Sequence, residues 1–407
     1  MSESAFLEKL LDGAEVEWVP LAEGENRITE LKRGRVMSKG YLVENSGDYP
    51  VYSSQTARNG QIGKIKTFDF DGESITWTTD GANAGTVFHR TGKFSITNVC
   101  GIIRICDVDR LNYRYLFHYL SFNTQKHVYA GMGNPKLMSN QMAKIPIPIP
   151  CPENPEKSLA IQAEIVRILD TFTELTTELT AELTARKKQY NYYRDQLLTF
   201  EEGEVEWKPL EEVATFRRGS FPQPYGNAEW YDGEGCMPFV QVADVANFGY
   251  TMHNITKQQI SVLAQPKSIF VESGSVVVTL QGTIGRVAIT QYDCYVDRTL
   301  AIFTSYKVKL NKKYFAHQLK AKFDKEKEFA RGSTIKTITK AEFSKFEIPL
   351  PPINEQDRIV AILDKFDTLT HSISEGLPRE IELRQKQYEY YRDLLLNFPK
   401  PQTEGVA

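Results

Sequence analysis

The chain has no apolar run of membrane length, no CxxC pair, and no histidine cluster beside Cys100, Cys106, Cys151, Cys236 and Cys294. These absences leave a soluble protein with buried thiols in a reducing cytoplasm as the expectation. The opening MSESAFLEKL, which lacks a basic and apolar signal region, agrees with that. No GxxxxGK(S/T) phosphate loop occurs, so ATP use is not written in this chain. A methyltransferase acting alone would need a cofactor pocket and an (N/D/S)PP(Y/F) loop. The only adjacent prolines, Pro351 and Pro352, instead follow Leu350 and precede Ile353. EVEWK (204–208) has an E-x-K spacing found in nucleases, but the matching EVEWV (15–19) lacks the lysine. No catalytic residue, metal ligand set or cofactor is therefore assigned. Large net charge is also missing: 49 Lys and Arg face 52 Asp and Glu. A nucleic-acid partner must then be argued from local charge.

What is present is a long internal repeat. RKKQYNYYRDQLLTF (186–200) returns as RQKQYEYYRDLLLNF (384–398), and IQAEIVRILDTF (161–172) returns as EQDRIVAILDKF (355–366), with Gln162 answering Gln356. EVEWVPL (15–21) and EVEWKPL (204–210) open the two repeats, and KIPIPIP (144–150) and KFEIPLP (345–351) close their variable parts. Such proline alternation suits an extended edge or linker and not an interior strand. In the first helical copy Ile165, Ile168, Phe172, Leu175 and Leu179 fall at three- and four-residue steps, then Leu183, Tyr190, Tyr193, Leu197 and Phe200 after a four-residue shift. Ile359, Ile362, Phe366, Leu369 and Ile373, then Ile381, Arg384, Tyr388, Tyr391, Leu395 and Phe398, repeat the seam, with a break expected at Gly376-Leu377-Pro378. A stripe of this kind needs a facing helix, and an antiparallel pairing of the two copies supplies one.

Between these helices the sequence reads as short strands with turn punctuation. SITWTT (74–79), GTVFHR (85–90) and VCGIIRI (99–105) precede a helix at 113–120. FVQVADV (239–245), SVVVTL (275–280), GRVAIT (285–290) and LAIFTS (300–305) precede a helix at 314–323. His118 and His317 sit on the apolar sides of these helices, where packing is the simpler role. The predicted fold is α+β. Two globular domains of mixed strands and short helices, 1–150 and 202–352, are separated by helical regions 151–201 and 353–407, with an internal pseudo-two-fold repeat.

This arrangement resembles the specificity subunit of type I restriction–modification enzymes. QYNYYRDQLL and QYEYYRDLLL, the proline-rich PIPIP and IPLPP segments, YPVYSS (49–54) and QGTIGRVAI (281–289) carry the likeness, which covers essentially the whole chain. The resemblance implies two target-recognition domains, each reading one half of a bipartite double-stranded DNA site. It implies helices that set the spacer and dock two methyltransferase (M) subunits, with restriction (R) subunits joining the M2S core. S-adenosylmethionine, ATP and Mg would belong to those partners.

The residues supply candidates for these tasks. Gln55, Arg58, Asn59, Asn83, Gln281 and Arg286 carry the amide and guanidinium groups that read base edges, on polar turns between strands. Arg33, Arg35, Lys136, Arg217, Arg218, Arg331 and Lys336 are candidates for phosphate contact. Between Lys307 and Lys345, twelve Lys and Arg stand against four Asp and Glu, a balance of +8. Tyr192 and Tyr390 fall off the helical seam and are candidates for partner docking. Two other readings remain open from the residues alone. One is a two-headed coiled-coil scaffold without DNA binding; the other is a recognition module of a related restriction system.

Overall fold

The computed structural model describes residues 4–24, 27–131, 133–246, 249–329, 339–372 and 375–399. The chain forms two compact units, Met1–Glu178 with Glu382–Ala407 and Leu179–Ile381. Helices Pro155–Leu198 and Gly376–Leu396 contribute residues to both units, so the units cut across the helical regions. Among the described residues no helix is long and apolar enough to cross a membrane.

In the first unit an antiparallel sheet runs in the order Thr29–Arg33, Cys100–Ile105, Ser74–Thr78, Val87–Arg90. Strand Ser74–Thr78 is buried along its whole length, which its β-branched and aromatic residues favour. Trp77 is fully buried, and its indole N–H donates to the Leu137 carbonyl at 2.9 Å. Opposite it stands Gly101, where a Cβ would lie 2.1 Å from the indole. A second sheet, Gln61–Ile65, Ser46–Tyr52, Ser95–Ile96, contains one parallel pair.

The second unit repeats this plan. Its antiparallel sheet runs Ala214–Arg218, Leu300–Tyr306, Val276–Thr279, Val287–Ile289, strand for strand the order of the first. Val278 faces Ala301 where Trp77 faces Gly101. The other sheet runs Gln258–Ile260, Met237–Val240, Cys294–Val296, Ile269–Val271, again with one parallel pair. The strand expected over 239–245 stops at Val240. Asp244 accepts from the Gln241 and Lys257 amides, both at 2.7 Å, and this turns Val242–Asp244 into a short helical turn.

The proline-rich segments are strands of two-stranded ribbons. Pro146–Pro150 pairs with Val16–Pro20, and Glu347–Leu350 pairs with Glu206–Pro209. Each strand has a single partner, which tolerates the amide that proline lacks. Trp18 faces Pro148 and Trp207 faces Pro349 in register.

One network fastens each long helix to its domain; its glutamine–asparagine–tyrosine chain recurs in both units, while the glutamine amide donates to the Arg110 carbonyl in the first and to the Pro351 carbonyl in the second. Gln162, fully buried, accepts from the Asn112 amide at 2.9 Å and donates to the Arg110 carbonyl at 2.8 Å. Asn112 caps helix Tyr113–Asn123 by accepting from the Arg114 and Tyr115 amides. The Tyr115 hydroxyl donates to the Pro148 carbonyl at 2.8 Å. In the second unit Gln356 accepts from the Asn311 amide at 2.9 Å, Asn311 accepts from the Lys313 and Tyr314 amides, and Tyr314 donates to Pro349 at 3.0 Å. Arg114 and His118 both bind Asp170. Burial opposes ionisation of that carboxyl, but the hydrogen bonds from His118 and Arg114 outweigh it and hold the pKa at about 2.

The helical seams pack within each unit. In the first, Ile161, Ile165 and Leu169 share a core with Leu395, Leu396 and Phe398, and Phe172 stacks on Tyr391 at 5.2 Å. In the second, Ile359, Val360 and Leu363 share a core with Tyr190 and Leu198, and Phe366 stacks on Tyr193 at 5.8 Å. Leu169 and Leu363 are the fully buried residues where Ile168 and Ile362 were expected, a shift of one position around the helix. Ile373 lies outside the described residues. The expected break is present: Ile353–His371 ends before Gly376, whose φ is +78°, and Pro378 sits in the first turn of Gly376–Leu396, where proline is tolerated.

Replacing Gln162 by alanine leaves the half-buried Asn112 amide and Arg110 carbonyl without their partner. We expect Gln162→Ala, and equally Gln356→Ala, to cost about 1–3 kcal/mol. Urea unfolding monitored by circular dichroism reads this directly. An unmoved midpoint would show that the glutamine is not the fastener.

Candidate nucleic-acid interface

In the first unit the sequence-distant candidate residues meet at one edge of the domain. Arg33 and Arg35 flank Gly34, where a Cβ would stand 2.1 Å from the Ile96 carbonyl oxygen, so only glycine permits the approach. Arg33 donates to the Thr79 hydroxyl at 3.1 Å and the Asn98 carbonyl at 3.0 Å. Arg35 pairs with Asp69 at 3.0 Å. The loop at 53–61 is tied to the turn at 78–85 by the Asn83 side chain, which donates to the Ser54 carbonyl at 3.2 Å. It is tied to the turn at 97–100 by Ser53 and Thr97 hydroxyls 2.9 Å apart. Lys136 bridges Asp80 and Tyr129 through the backbone, which brings it to the same edge.

Arg58 and Asn59 form the apex of this cluster. Both have left-handed backbones, φ 50° and 55°, and both are exposed. A non-glycine residue in that region costs energy and persists only where its surroundings impose it. Arg90 imposes it: its guanidinium donates to the Asn59 carbonyl at 2.8 Å and lies 3.6 Å from the centroid of the Tyr52 ring. Burial lowers the Arg90 pKa to about 10, so the group stays charged at neutral pH. Among the described residues Arg58 and Lys136 have no side-chain hydrogen bond or ion pair, so their charges face solvent unopposed. Gln55 directs its amide to the Gln61 carbonyl.

The second unit has the same frame with other letters. Gly219 approaches the Val296 carbonyl as Gly34 approaches Ile96, and its amide donates to Leu300 at 3.1 Å as that of Gly34 does to Cys100 at 3.2 Å. Arg217 and Arg218 are exposed at the end of their strand. Arg298, exposed, occupies the turn position that Asn98 holds in the first unit. Beneath it, buried Asp297 accepts from the Tyr225 hydroxyl and the Thr299 amide. Gln281 is half-buried with no side-chain hydrogen bond among the described residues. Arg286 turns inward and donates to the Val242 and Val245 carbonyls at 3.4 and 3.1 Å, holding that turn. Arg331 and Lys336, with the glycine-and-lysine loop at 330–337, lie outside the described residues.

Sequence reasoning did not single out Arg90, Asn98 or Arg298. Aligning VCGIIRI with LAIFTS places 98 opposite 298, which was the available signal for that pair. Nothing in the local sequence marks Arg90, whose role depends on Tyr52 and Asn59. On the helices, Tyr192 and Tyr390 are 59% and 50% exposed, and each rests edge-on against the next tyrosine at 5.4 Å.

A family profile for the type I restriction modification DNA specificity domain matches twice, over residues 26–186 and 202–383. The chain is 39% identical over 423 residues to the type I restriction enzyme EcoR124I/EcoR124II specificity subunit of Escherichia coli, covering 99% of both chains. It is 33% identical over 404 residues to the EcoprrI specificity subunit, also of Escherichia coli, covering 92% of this chain and 93% of that one. The fold matches the S subunit of a type I restriction–modification system from M. genitalium with a TM-score of 0.58 at 14% identity, covering 96% and 98% of the two chains. It also matches a chain from a structure of type I R-M complex assembly and conformational transition with a TM-score of 0.60 at 17% identity, covering 94% and 97%. Two full specificity domains and end-to-end identity with these relatives place the chain in one family: it belongs to the specificity subunits of type I restriction–modification systems.

Proposed function

We propose that this chain is the non-catalytic, sequence-reading subunit of a type I restriction–modification enzyme. Each globular domain reads one half of an asymmetric, bipartite site on double-stranded DNA. The observation that carries this reading is that the antiparallel sheet occurs twice, strand for strand, with the same glycine-supported edge and different polar groups on it. A scaffold without DNA has no need to keep that edge while changing the polar groups it carries.

Arg33, Arg35, Lys136, Arg217 and Arg218 serve phosphate contact, which fixes register and gives salt-dependent affinity. Arg331 and Lys336 remain candidates for the same task. Base readout falls first to Arg58, Asn59 and Gln281. Gln55, Asn83 and Arg286 direct donors to their own backbone, so they act more by shaping the loops. The stacked pairs Phe172–Tyr391 and Phe366–Tyr193 support an antiparallel coiled coil of the two helical copies. About 40 residues at about 1.5 Å each make a strut of about 60 Å, which sets the spacer between half-sites. Tyr192 and Tyr390 offer exposed aromatic faces for two methyltransferase subunits, through which restriction subunits join. S-adenosylmethionine, ATP and Mg act in those partners, and adenine methylation is the chemistry directed.

Exchanging residues 202–352 for those of another family member is expected to change one half of the methylated site and leave the other. Mapping methylated adenines in a host carrying the chain and its methyltransferase checks this; an unchanged site rejects the assignment. Adding a heptad within 165–200 should alter the spacer accepted between half-sites, read by the same mapping. Lys136→Ala is expected to weaken DNA binding on all sequences and reduce the salt slope by about 1. Arg58→Ala should cost about 1–3 kcal/mol on the cognate site and relax specificity there. Binding isotherms on cognate and scrambled duplexes at several salt concentrations separate the two.

A further inference from the structure

The fastening of helix Lys312–Phe329 to helix Ile353–His371 departs from its counterpart at one point. In the first unit His118 pairs with Asp170 at 2.7 Å. In the second, Lys313 takes the matching carboxylate, holding the Asp364 oxygens at 2.9 and 2.8 Å. His317 is 1% exposed, and neither of its ring nitrogens has a hydrogen-bond partner. Leaving a buried polar group unpaired costs about 1–3 kcal/mol. Asp367 stands where the first copy carries Thr173. Its Oδ1 is also buried without a hydrogen bond, with His371 Nδ1 3.4 Å away.

The unpaired His317 and Asp367 atoms are neighbours of the Asp364 carboxylate that Lys313 holds. Ligand atoms of His317, Asp364 and Asp367 lie within 4.8 Å of one another. The carboxylates come from positions three apart on one helix and the imidazole from the other. One neutral nitrogen and two carboxylate oxygens suit a borderline divalent ion such as zinc. The Tyr250 ring covers the imidazole at 4.2 Å. Lys313 and Arg194 are the cations facing the group, and Arg194 is itself paired with Asp195. A cavity of about 210 Å³ lined by Tyr190, Arg194, Tyr250, Lys320, Asp367 and His371 opens beside Asp367, giving an ion and its water ligands a route in.

We propose that His317, Asp364 and Asp367 form a binding site for a divalent transition-metal ion of the zinc class. Water completes the coordination. The ion ties the two helices together, doing in the second unit what the direct His118–Asp170 hydrogen bond does in the first. This inference stands apart from the DNA-reading assignment, because metal binding is its readout.

The test uses the full chain, stripped with a chelator and titrated with Zn2+ against a chromophoric competitor. The expected result is one tight site whose occupancy raises the melting temperature. Asp367→Thr introduces the residue already present at position 173 and should weaken binding by more than about 100-fold. Loss of a merely supporting residue costs about 10–100-fold. Asp364→Asn, the second variant, should behave likewise, and His118→Gln should bind as the parent does. Absence of a site in the parent chain, or full affinity retained in both Asp367→Thr and Asp364→Asn, overturns the proposal. If one aspartate variant fails to fold, the other decides.

Discussion

Everything else in each unit depends on a buried glutamine seated against a helix cap. Gln162 and Gln356 are each almost wholly inaccessible to solvent, and each joins a long helix to the amide of the asparagine that starts the domain's own helix. The same asparagine then orders the first turn, and the tyrosine in that turn reaches the proline-rich strand. Three elements are thus fixed by groups whose alternative is an unpaired polar atom in the interior. That penalty is steep and direction-specific, so it sets orientation more firmly than apolar packing alone.

With the helices and ribbon held, the rest of the domain can change in compensated steps. Trp77 with Gly101 and Val278 with Ala301 occupy the same place in the sheet, the indole requiring a bare glycine opposite and the valine leaving room for a methyl. The edge that carries the candidate DNA contacts is held by backbone geometry: Gly34 and Gly219 lie too close to facing carbonyls to carry any side chain. Residues around those glycines are under no such restraint. This is how one architecture holds Asn98 in one copy and Arg298 in the other without moving the turn beneath them.

Much of this was legible in the sequence. The helical repeat, the strands and the proline-rich closures follow from periodicity and composition, and Gln162 was already seen to answer Gln356. Its partner was not visible, because Asn112 lies fifty residues away in sequence and has no local mark of its role. The same limit applies to side-chain direction. Arg286 and Arg58 look alike in a polar turn, yet one guanidinium satisfies two backbone carbonyls and the other extends from a left-handed apex. The choice is made by tertiary neighbours, Val242 and Val245 for the first and Arg90 for the second. Seam positions were displaced by one residue for a related reason: the facing surface, and not the ideal repeat, decides whether Ile168 or Leu169 is the more buried.

A net charge of −3 does not oppose DNA binding once the acidic residues are located. Many carboxylates sit on the helices and are matched there: Glu164 with Arg167, Glu182 with Arg186, Glu355 with Arg358, Glu382 with Lys386. Such surface pairs add little stability, typically about 0–1 kcal/mol, but they cancel one another's field beyond a short distance. At the first unit's glycine-supported edge, by contrast, Arg58 and Lys136 have no acidic partner among the described residues. A phosphate backbone responds to the local imbalance within about a Debye length, roughly 8–10 Å, and not to the sum over the chain. These helical pairs cancel much of the acidic charge locally, while Arg58 and Lys136 keep positive charge that no acidic side chain among the described residues offsets.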